Sequence, residues 1–491
     1  SWLQGSGDAN QGNPPVKNVI DRARTPEHAS DLLPERGPPA YLAAFREARA
    51  VNLSFSLLAG AAVALLGLDL FGPAASLAAL LFWCANPFVI AWASLVTTDM
   101  GATASMLLFV LAFRAHLRQP TLATSFTSGV LLGLALLCKF SALVLVPFAF
   151  SGRRLVPLLA TALLVVNAGY LFQGTGRVLG SFTFWSGALG SGGNHFAGTP
   201  LHHLPVPVPA DFLLGLDRQW LDTESGLYES WFLGELRKGG WPHYYLVGLA
   251  LKLPLGLLAA FFLALCFARR LGKGFLVASV PSLLLLALLS WRCGFCHHLR
   301  YALPAVPLVC IAAGALFSFG WRMRLVGALC LLQSVFACFQ YAPHHLPYFN
   351  ELAGGPQHGW KALADSSADW GQGLLDLRDW ARANPDKRPL HLACFNRVDP
   401  ALFGIDFVPP PSDPDAPPIV GGASPPQGPI PPGWHVVSAN FVVGIPFIAP
   451  DGKHGWMRVP PRAYARYRKL TPVGHIGYSL LVYRVPEEDE P

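Results

Sequence analysis

The sequence predicts an α-helical, multi-pass membrane protein that carries an α/β domain outside the membrane at its C-terminal end. Of its 491 residues, 52% are hydrophobic and only 13% are charged, whereas a soluble globular chain carries about 25% charged residues. Apolar segments recur between residues 51 and 341. After residue 341 the chain changes to a mixed polar sequence with short strand-like runs, which predicts a domain in water.

About ten apolar segments are candidate transmembrane helices, and residues 51–341 are interpreted as the transmembrane domain. Some segments are shorter than the roughly 20 residues that a straight span needs. The two that meet at Lys139 are interpreted as a broken or tilted pair. The segments lie at residues 51–70, 74–97, 101–117, 123–138, 140–150, 155–173, 242–267, 275–291, 303–320 and 325–341.

Lysine and arginine in short loops predict the orientation of these spans, because such residues are concentrated on the cytoplasmic side. Alternation of ten spans puts four basic clusters on one side, which is then the cytoplasmic one. Asp99, the polar loop 174–240 and everything after residue 341 then lie on the outer face. Residues 1–50 are polar, contain no span and are interpreted as an outer-face loop. The basic clusters are Arg114 with Arg118, Arg153 with Arg154, Arg269 and Arg270 with Lys273, and Arg322 with Arg324.

Residues 342–491 are interpreted as a small α/β domain on the outer face. The stretch SSADWGQGLLDLRDWARANP reads as an amphipathic helix. Residues 409–433 are rich in proline and are predicted to form a loop. Three further stretches are predicted to be strands: PLHLACF, WHVVSANFVVG and YSLLVYRV.

The charge and the cysteines exclude some classes of function. The formal net charge is +7, but the basic residues lie largely in loops between spans, so no nucleic-acid partner is expected. Six of the nine cysteines lie inside apolar runs and are interpreted as small hydrophobic residues. The CGFCHH stretch at 293–298 fits the C-x-x-C-H pattern of covalent haem attachment. A labile disulfide, a metal site and an ordinary turn are the alternatives.

Three charged residues beside apolar spans are the candidate functional site. Asp99 ends an uncharged stretch, Lys139 separates two apolar runs, and Arg300 lies at the outer mouth of a span. Ionisable residues in such positions indicate function, although Asp99 could instead cap the next helix. Cations that hold an anionic leaving group beside a carboxylate suit a reaction on a lipid-linked phosphate. A transporter would use similar residues.

Other polar residues have less specific interpretations. Lys252, in LALKLPLG, is interpreted as extending its ammonium to the membrane interface. Asp369 and Gln372 either contact an acceptor from the outer domain or have a structural role. In the structural case Asp369 caps a helix and Trp370 packs in the core of the tail. The histidines at 297, 298, 344 and 345 are interpreted as surface residues rather than as a metal site.

Six sequence blocks, in order, resemble bacterial members of the protein O-mannosyltransferase and aminoarabinose-transferase superfamily, which are membrane glycosyltransferases of the GT-C fold. The resemblance runs from about Arg49 to Tyr483 and depends on the order and spacing of the blocks. The blocks are NPF followed by LVTTDM, GLALLCKFSALVLVP, YYLVGLALKLPLG, RYALPAVP, YFNELAGG and DSSADWGQGLLDL.

This resemblance implies a glycosyltransferase in the bacterial inner membrane, with the active site and the C-terminal domain facing the periplasm or exterior. A polyprenyl-phosphate sugar would be the donor, and transfer would invert the anomeric carbon. Asp99 matches a conserved acid and would be catalytic. Lys139 and Arg300, with Tyr301 beside them, would contact the donor phosphate. The sugar, the acceptor (protein, lipid or glycan) and a requirement for a divalent metal are left open.

The sequence departs from this family at its start. Members have a first transmembrane helix followed by an outer loop with an acidic motif that supplies the catalytic base. Neither is found here, and Asp8 and Asp21 are not in a matching motif. We expect the given sequence to begin within that loop and, as given, not to turn over. An inactive homologue and a non-enzymatic transporter or flippase-like protein are the alternatives.

Overall fold

The structure is a computed structural model and describes residues 27–224, 226, 228–419 and 423–487. Most of the described chain before residue 341 is helical, and strands are concentrated after residue 389. The helices up to that point are α1 (Glu27–Phe71), α2 (Pro73–Cys84), α3 (Pro87–Ser94), α4 (Thr98–Arg118), α5 (Leu122–Cys138), α6 (Leu145–Ala149), α7 (Leu155–Gly169), α8 (Ala210–Glu224), α9 (Tyr244–Lys252), α10 (Leu255–Cys266), α11 (Ala268–Trp291), α12 (Val306–Gly314) and α13 (Trp321–Gln340).

The prediction of a multi-pass helical membrane protein is confirmed, but fewer than ten of the helices in the described part of the chain are long enough to be full spans. Within the described residues, five helices are long and apolar enough to cross a membrane. Two bent pairs, α2 with α3 (61°) and α9 with α10 (119°), raise the number to seven if each pair is one span. Each of the ten predicted segments is helical. Three of them are shorter apolar helices: Leu122–Cys138, Phe140–Ala149 and Leu155–Gly169.

Residues 27–50 form the first half of helix α1 rather than the expected loop. The stretch AYLAAFREARA at 40–50 is rich in alanine, arginine and glutamate, which favour helix. The loop was predicted because glycine and prolines precede this stretch. Gly37 does interrupt the helix, with a φ of 73°. Residues 1–26 of the predicted outer loop lie outside the described residues.

Helices α5 and α7 pack closely because small residues line the contact. Ser125, Gly129 and Gly133 recur every fourth residue of α5, the spacing that lets two membrane helices approach. A Cβ atom on Gly129 would lie 2.4 Å from the Leu158 carbonyl oxygen, and one on Gly133 would lie 2.6 Å from Cβ of Val165. This approach fixes the end of α5, where Lys139 is located.

The four basic clusters come together at one end of the helices. Arg114 Nη2 lies 2.7 Å from Asp69 Oδ2, and Arg114 Nη1 donates to the Gly274 carbonyl at 2.6 Å. His116 Nε2 lies 2.7 Å from the Arg153 carbonyl oxygen, and Arg270 lies over the Phe319 ring. Helix α4 has 21 residues and is therefore about 30 Å long, with Asp99 at its other end. The cytoplasmic assignment of the basic end stays a prediction.

The C-terminal domain is built on a four-stranded sheet in the order β3-β4-β8-β7, in which only β3 and β4 are parallel. A hairpin in loop 174–240 forms β1 and β2, and β5 pairs with β6. The elements are β1 (Glu229–Phe232), β2 (Glu235–Lys238), α14 (Pro356–Gly359), α15 (Leu374–Ala383), β3 (Leu390–Ala393), β4 (Gly433–Ser438), α16 (Ala439–Val443), β5 (Phe447–Pro450), β6 (Trp456–Val459), β7 (Gly474–Ile476) and β8 (Leu480–Val485).

The sheet separates two hydrophobic cores, because alternate residues of a strand face opposite sides. Val436 and Val482 join the core that contains Leu377 of α15. Val437 and Tyr483 join the other core. The prediction that WHVVSANFVVG is a strand holds only for its first half, which forms β4. The second half forms helix α16, because the Ser438 hydroxyl caps that helix by accepting from the Asn440 N–H.

Candidate functional site

Asp99 lies at the N-terminal end of α4, in the first turn after the N-cap residue Thr97. Its side chain is 3% exposed and forms ion pairs with Lys139 Nζ and with Arg300 Nε, the latter at 3.0 Å. The three residues that the sequence singled out separately are therefore one cluster. Capping is not the role of Asp99, because its carboxylate is directed at two cations.

A break in one helical segment and a 3₁₀ turn at the start of another position the two cations. Lys139 ends α5 in an extended conformation (φ −162°, ψ 136°) before a 3₁₀ turn over Phe140–Val144. The predicted broken pair at this residue is therefore confirmed. Arg300 is in a second 3₁₀ turn, Leu299–Ala305, which leads into α12. Irregular backbone at membrane depth is tolerated where it is buried in protein or lines a cavity.

The cluster carries more positive than negative charge and is nearly closed to water. The side chains of Lys139 and Arg300 are 10% and 7% exposed. Within the described residues, Nε and Nη1 of Arg300 have no hydrogen-bond partner, so the 3.0 Å contact with Asp99 is an ion pair without hydrogen-bond geometry. Unpaired buried donors cost free energy, and an anion bound at Arg300 would satisfy them.

Aromatic rings hold the two cations in place. Lys139 Nζ lies 3.8 Å from the centre of the Tyr301 ring, and the Arg300 guanidinium lies 4.4 Å from Trp370 and 5.3 Å from Trp92. Such contacts stabilise a cation without neutralising it. Trp370 thus connects the C-terminal domain to the membrane cluster, and the expectation that it packs in the core of the tail is wrong.

Asp369 and Gln372 use their polar atoms within the C-terminal domain. Asp369 accepts from the Ser438 hydroxyl at 2.5 Å and from the Gly371 N–H at 2.9 Å. Gln372 accepts from the Trp370 N–H and donates to the Ala368 carbonyl. Burial is the main cause that raises the pKa of Asp369 to about 7. This geometry favours the structural alternative for both residues, although helix α15 begins later, after Gly373.

Lys252 does not extend its ammonium to the membrane interface, as the sequence analysis expected. It is 1% exposed, and its Nζ donates to the carbonyl oxygens of Leu346 and Ser367 at 2.6 and 2.7 Å. The ammonium thereby ties two segments of the outer domain to the end of α9. The sequence around LALKLPLG is apolar and gives no sign of this contact, because both acceptors are backbone carbonyl groups that are distant in sequence.

The CGFCHH turn packs against the loop that follows β2. Cys296 is buried, receives the Trp241 N–H at 3.5 Å, and burial raises its pKa to about 12. The two histidines that follow contact Asp365, with Nδ1 of His297 and of His298 at 3.2 and 3.3 Å from its two oxygens. These contacts favour an ordinary turn over haem attachment. His297 and His298 are 2% and 7% exposed, so their interpretation as surface residues is wrong, and the sequence analysis did not foresee their contact with Asp365.

A divalent metal ion does not fit the Asp99 cluster. The carboxylate that would bind the ion already faces two cations, and both would repel a metal. Across the ranges that the structure describes, no group of three or more His, Cys, Asp and Glu side chains is arranged to hold a metal.

The chain was compared with known families, curated proteins and solved structures. No family model and no curated protein matches it. Among solved structures, it is similar to ArnT from Cupriavidus metallidurans bound to undecaprenyl phosphate, with 15% identity, a TM-score of 0.42, and coverage of 89% of this chain and 83% of that one. The apo state of ArnT from the same organism matches with 14% identity and a TM-score of 0.40, and the match covers 88% of this chain and 82% of that one. The archaeal oligosaccharyltransferase AglB from Archaeoglobus fulgidus matches with 13% identity and a TM-score of 0.36, and the match covers 73% of this chain and 49% of that one.

All three matches have identities of 13–15% and TM-scores of 0.36–0.42. The identities and TM-scores are too low for any residue role or substrate to be transferred to this chain.

Proposed function

We propose that the protein is an integral membrane glycosyltransferase that moves a sugar from a polyprenyl-phosphate donor to an acceptor on the non-cytoplasmic face of a bacterial inner membrane. The sugar is a mannose-like hexose or another hexose or pentose, and the acceptor is a protein, lipid or glycan. The observation that carries this proposal is the buried, unmatched positive charge of Lys139 and Arg300 at the ends of apolar helices. A phosphate on a lipid chain supplies the missing anion and the apolar tail together.

The chemistry of the cluster suits a phosphate leaving group. Arginine presents a planar fork of donors that matches phosphate, and two nitrogens of Arg300, Nε and Nη1, have no hydrogen-bond partner within the described residues. Lys139 supplies a second cation, which forms an ion pair with Asp99 as Arg300 does. Cations fixed in place before the reaction stabilise negative charge that develops on the leaving phosphate.

Asp99 keeps the two cations together in the absence of donor. Without that carboxylate, two like charges would be buried side by side, which is costly. The sequence resemblance gives Asp99 a catalytic role, and we retain that role as part of the proposal. The transfer is a single displacement that inverts the anomeric carbon. Tyr301 positions Lys139 through their ring contact.

Binding of undecaprenyl phosphate tests the proposal directly. Trp92 and Trp370 flank Arg300, so titration of the detergent-purified full chain with this lipid should change tryptophan fluorescence and saturate. In Arg300→Met we expect the affinity to fall at least about tenfold, the equivalent of 1.4 kcal/mol. Arg322→Met, which changes an arginine in the basic cluster at the far end, should bind as the wild type does. Absence of saturable binding to the wild type would overturn the proposal.

A transfer assay then separates an enzyme from a transporter. Undecaprenyl phosphate loaded with a radiolabelled hexose or pentose is incubated with the protein and a cell-envelope extract as the source of acceptors. Incorporation of label that is lost in Arg300→Met supports a transferase and contradicts the expectation that the sequence as given does not turn over. Binding without transfer points to the transporter or to the inactive homologue.

A further inference from the structure

A groove of about 790 Å³ lies between helices α1, α2 and α3, and most of its wall is apolar. Leu53, Leu57 and Ala61 of α1 face Trp83 of α2 and Val89 of α3 across it. Leu53 and Leu57 are 49% and 69% exposed, so the groove is open along one side. Cavities of this volume are large enough to bury a small organic ligand or part of a larger one.

Two arginines, Arg46 and Arg49, line the same groove. They are three residues apart on α1 and therefore lie on one face of the helix. Both are exposed, and neither forms an ion pair or a hydrogen bond within the part of the chain that the structure describes. Glu47 lies between them in sequence but is not among the residues of the wall. One end of an apolar groove thus carries positive charge that no carboxylate neutralises there.

The position of Arg49 along α1 places it at a membrane surface. Arg49 and Asp69 are 20 residues apart in this helix, which corresponds to about 30 Å, the thickness of the hydrocarbon core. Asp69 pairs with Arg114 and Arg118 at the basic end of the helices. Arg49 is therefore at the opposite surface, and Arg46, nearly one turn further out, is at the level of the lipid headgroups.

Two arginines at this surface oppose the charge bias that orients the other spans. Basic residues are concentrated on one side of a membrane protein, and the four basic clusters lie at the Asp69 end. Asn52, one turn after Arg49, donates to the carbonyls of Ala93 and Leu95, so these arginines lie at the Asp99 end instead. An anionic ligand explains their presence, because basic residues at a membrane surface attract anionic lipid headgroups.

The length of the apolar part of the groove indicates which anionic lipid fits. On α1 this part runs from Ala50 to Ala61, a rise of about 16 Å and so about half of the hydrocarbon core. A phospholipid holds its phosphate at the surface and its acyl chains within one leaflet, which matches both the charge and the depth of the groove. A polyprenyl chain is much longer than one leaflet is deep.

We propose that the groove between α1, α2 and α3 binds an anionic phospholipid from the leaflet at the Asp99 end of the helices. Its phosphate binds Arg46 and Arg49, and one acyl chain fills the apolar part. This site is distinct from the Asp99 cluster, and the inference does not depend on the proposed function.

Helix α3 separates the two sites and connects them mechanically. Val89 and Ala93 line the groove, whereas Trp92 of the same helix lies 5.3 Å from the Arg300 guanidinium. An acyl chain in the groove therefore packs against the face of α3 that points away from the cluster. The phospholipid supports the helix that holds Trp92 beside Arg300.

Native mass spectrometry of the detergent-purified full chain tests the charged end of the groove. The protein is mixed with equal amounts of phosphatidylglycerol, which is anionic, and phosphatidylcholine, which has no net charge, with identical acyl chains. We expect the wild type to retain one phosphatidylglycerol in preference. The double variant Arg46→Met with Arg49→Met should lose this preference by at least about tenfold, as expected for two basic residues at a membrane surface. Arg322→Met with Arg324→Met, at the other end of the helices, should keep it.

The apolar part is tested by Ala61→Phe, whose ring would occupy the space of the acyl chain. Ala61 is exposed, so this variant should unfold at the wild-type midpoint while it retains less phosphatidylglycerol. Ala74→Phe is the matched control, because Ala74 is an exposed residue of α2 outside the groove wall. It should retain the lipid as the wild type does.

Several results would overturn the inference. Equal retention of the two phospholipids by the wild type, or unchanged retention in the Arg46 and Arg49 double variant, would exclude a specific anion site. A dimer that replaces the lipid signal and is lost in Ala61→Phe would show that a second copy covers the groove. Displacement of phosphatidylglycerol by added undecaprenyl phosphate would assign the groove to the donor, whereas retention of both lipids together supports two sites. If undecaprenyl phosphate does not bind at all, the proposed function fails and this inference stands.

Discussion

Asp99 and Lys139 are 40 residues apart in the chain but form an ion pair in which the two side chains are 3% and 10% exposed. The carboxylate has a second cation, Arg300, on its other oxygen at 3.0 Å. A buried pair of this kind is worth little compared with a hydrophobic pair, but removal of one partner is strongly destabilising. The two buried cations therefore depend on Asp99, and a bound anion would balance the positive charge that Asp99 leaves over.

Replacement of Asp99 by asparagine should therefore separate stability from anion binding. We expect Asp99→Asn to lose about 3–5 kcal/mol of stability, since it leaves two buried cations without a carboxylate. Its affinity for undecaprenyl phosphate should rise, because the lipid phosphate no longer competes with a fixed negative charge. Thermal unfolding in detergent measures the first effect, and the fluorescence titration measures the second.

The control for this variant is Asp379→Asn, which breaks an exposed pair with Arg378. Exposed pairs contribute little to stability because solvent screens them, so its unfolding midpoint should hardly move. Weaker lipid binding by Asp99→Asn would mean that the phosphate does not bind beside this carboxylate.

Sequence reasoning found the members of the cluster but not its geometry. Each of Asp99, Lys139 and Arg300 is conspicuous because a charge beside an apolar span is costly and therefore informative. Their mutual pairing depends on helices brought together from distant parts of the chain. Trp370 shows the limit most clearly: its neighbours in sequence are in the C-terminal domain, yet its ring lies 4.4 Å from the Arg300 guanidinium.

Substitution of Arg300 by lysine keeps the charge and tests the shape of the site. Lysine cannot present a planar fork to phosphate or stack on Trp370 as guanidinium does. We expect Arg300→Lys to bind undecaprenyl phosphate about tenfold more weakly than the wild type, a loss of about 1.4 kcal/mol. Fluorescence titration at two salt concentrations checks this. Arg322→Lys is the matched control, and equal affinity of Arg300→Lys and wild type would show that charge alone suffices.

The contact between helices α5 and α7 predicts a sharp effect of one methyl group. In Gly129→Ala the new Cβ would lie 2.4 Å from the Leu158 carbonyl oxygen, closer than atoms can approach. Overpacking of this kind typically costs about 1–3 kcal/mol, so the unfolding midpoint in detergent should fall. Lys139 is ten residues further along and ends the same helix, so lipid binding should weaken as well.

Gly320→Ala is the control for this variant, because a Cβ at that position would meet no atom within 4 Å. Its midpoint should match that of the wild type. An unchanged midpoint in Gly129→Ala would mean that α5 and α7 are further apart than this structure has them.

In the C-terminal domain, the strands whose apolar residues alternate were predicted correctly, whereas structure that depends on a single polar contact was not. PLHLACF and YSLLVYRV alternate residues between two cores and form β3 and β8 as predicted. WHVVSANFVVG has the same apolar content, but Ser438 caps a helix within it. Asp365 gave no local signal at all, because its importance arises from two histidines 68 and 67 residues earlier in the chain.

Asp369 predicts how the stability of the protein depends on pH. Its pKa is raised from 3.8 to about 7, chiefly by burial, so the folded state holds a proton that the unfolded state releases. Between about pH 4 and pH 7 the unfolded state therefore binds fewer protons than the folded one, and the contribution of this residue to stability falls as pH rises. Over that window the loss amounts to about 4 kcal/mol, at 1.36 kcal/mol for each pH unit.

In Asp369→Asn this loss should disappear. The amide oxygen can accept from the Gly371 N–H as the carboxylate does. The amide nitrogen can donate to the Ser438 hydroxyl oxygen, so a hydrogen bond with Ser438 remains, although its direction is reversed. We expect the variant to unfold at a higher temperature than the wild type at pH 8 and at nearly the same temperature at pH 5. Thermal unfolding in detergent across pH 5–8 measures the difference. The exposed Asp386→Asn should give a constant difference at every pH, and a constant difference in Asp369→Asn would show that the buried carboxyl does not titrate in this range.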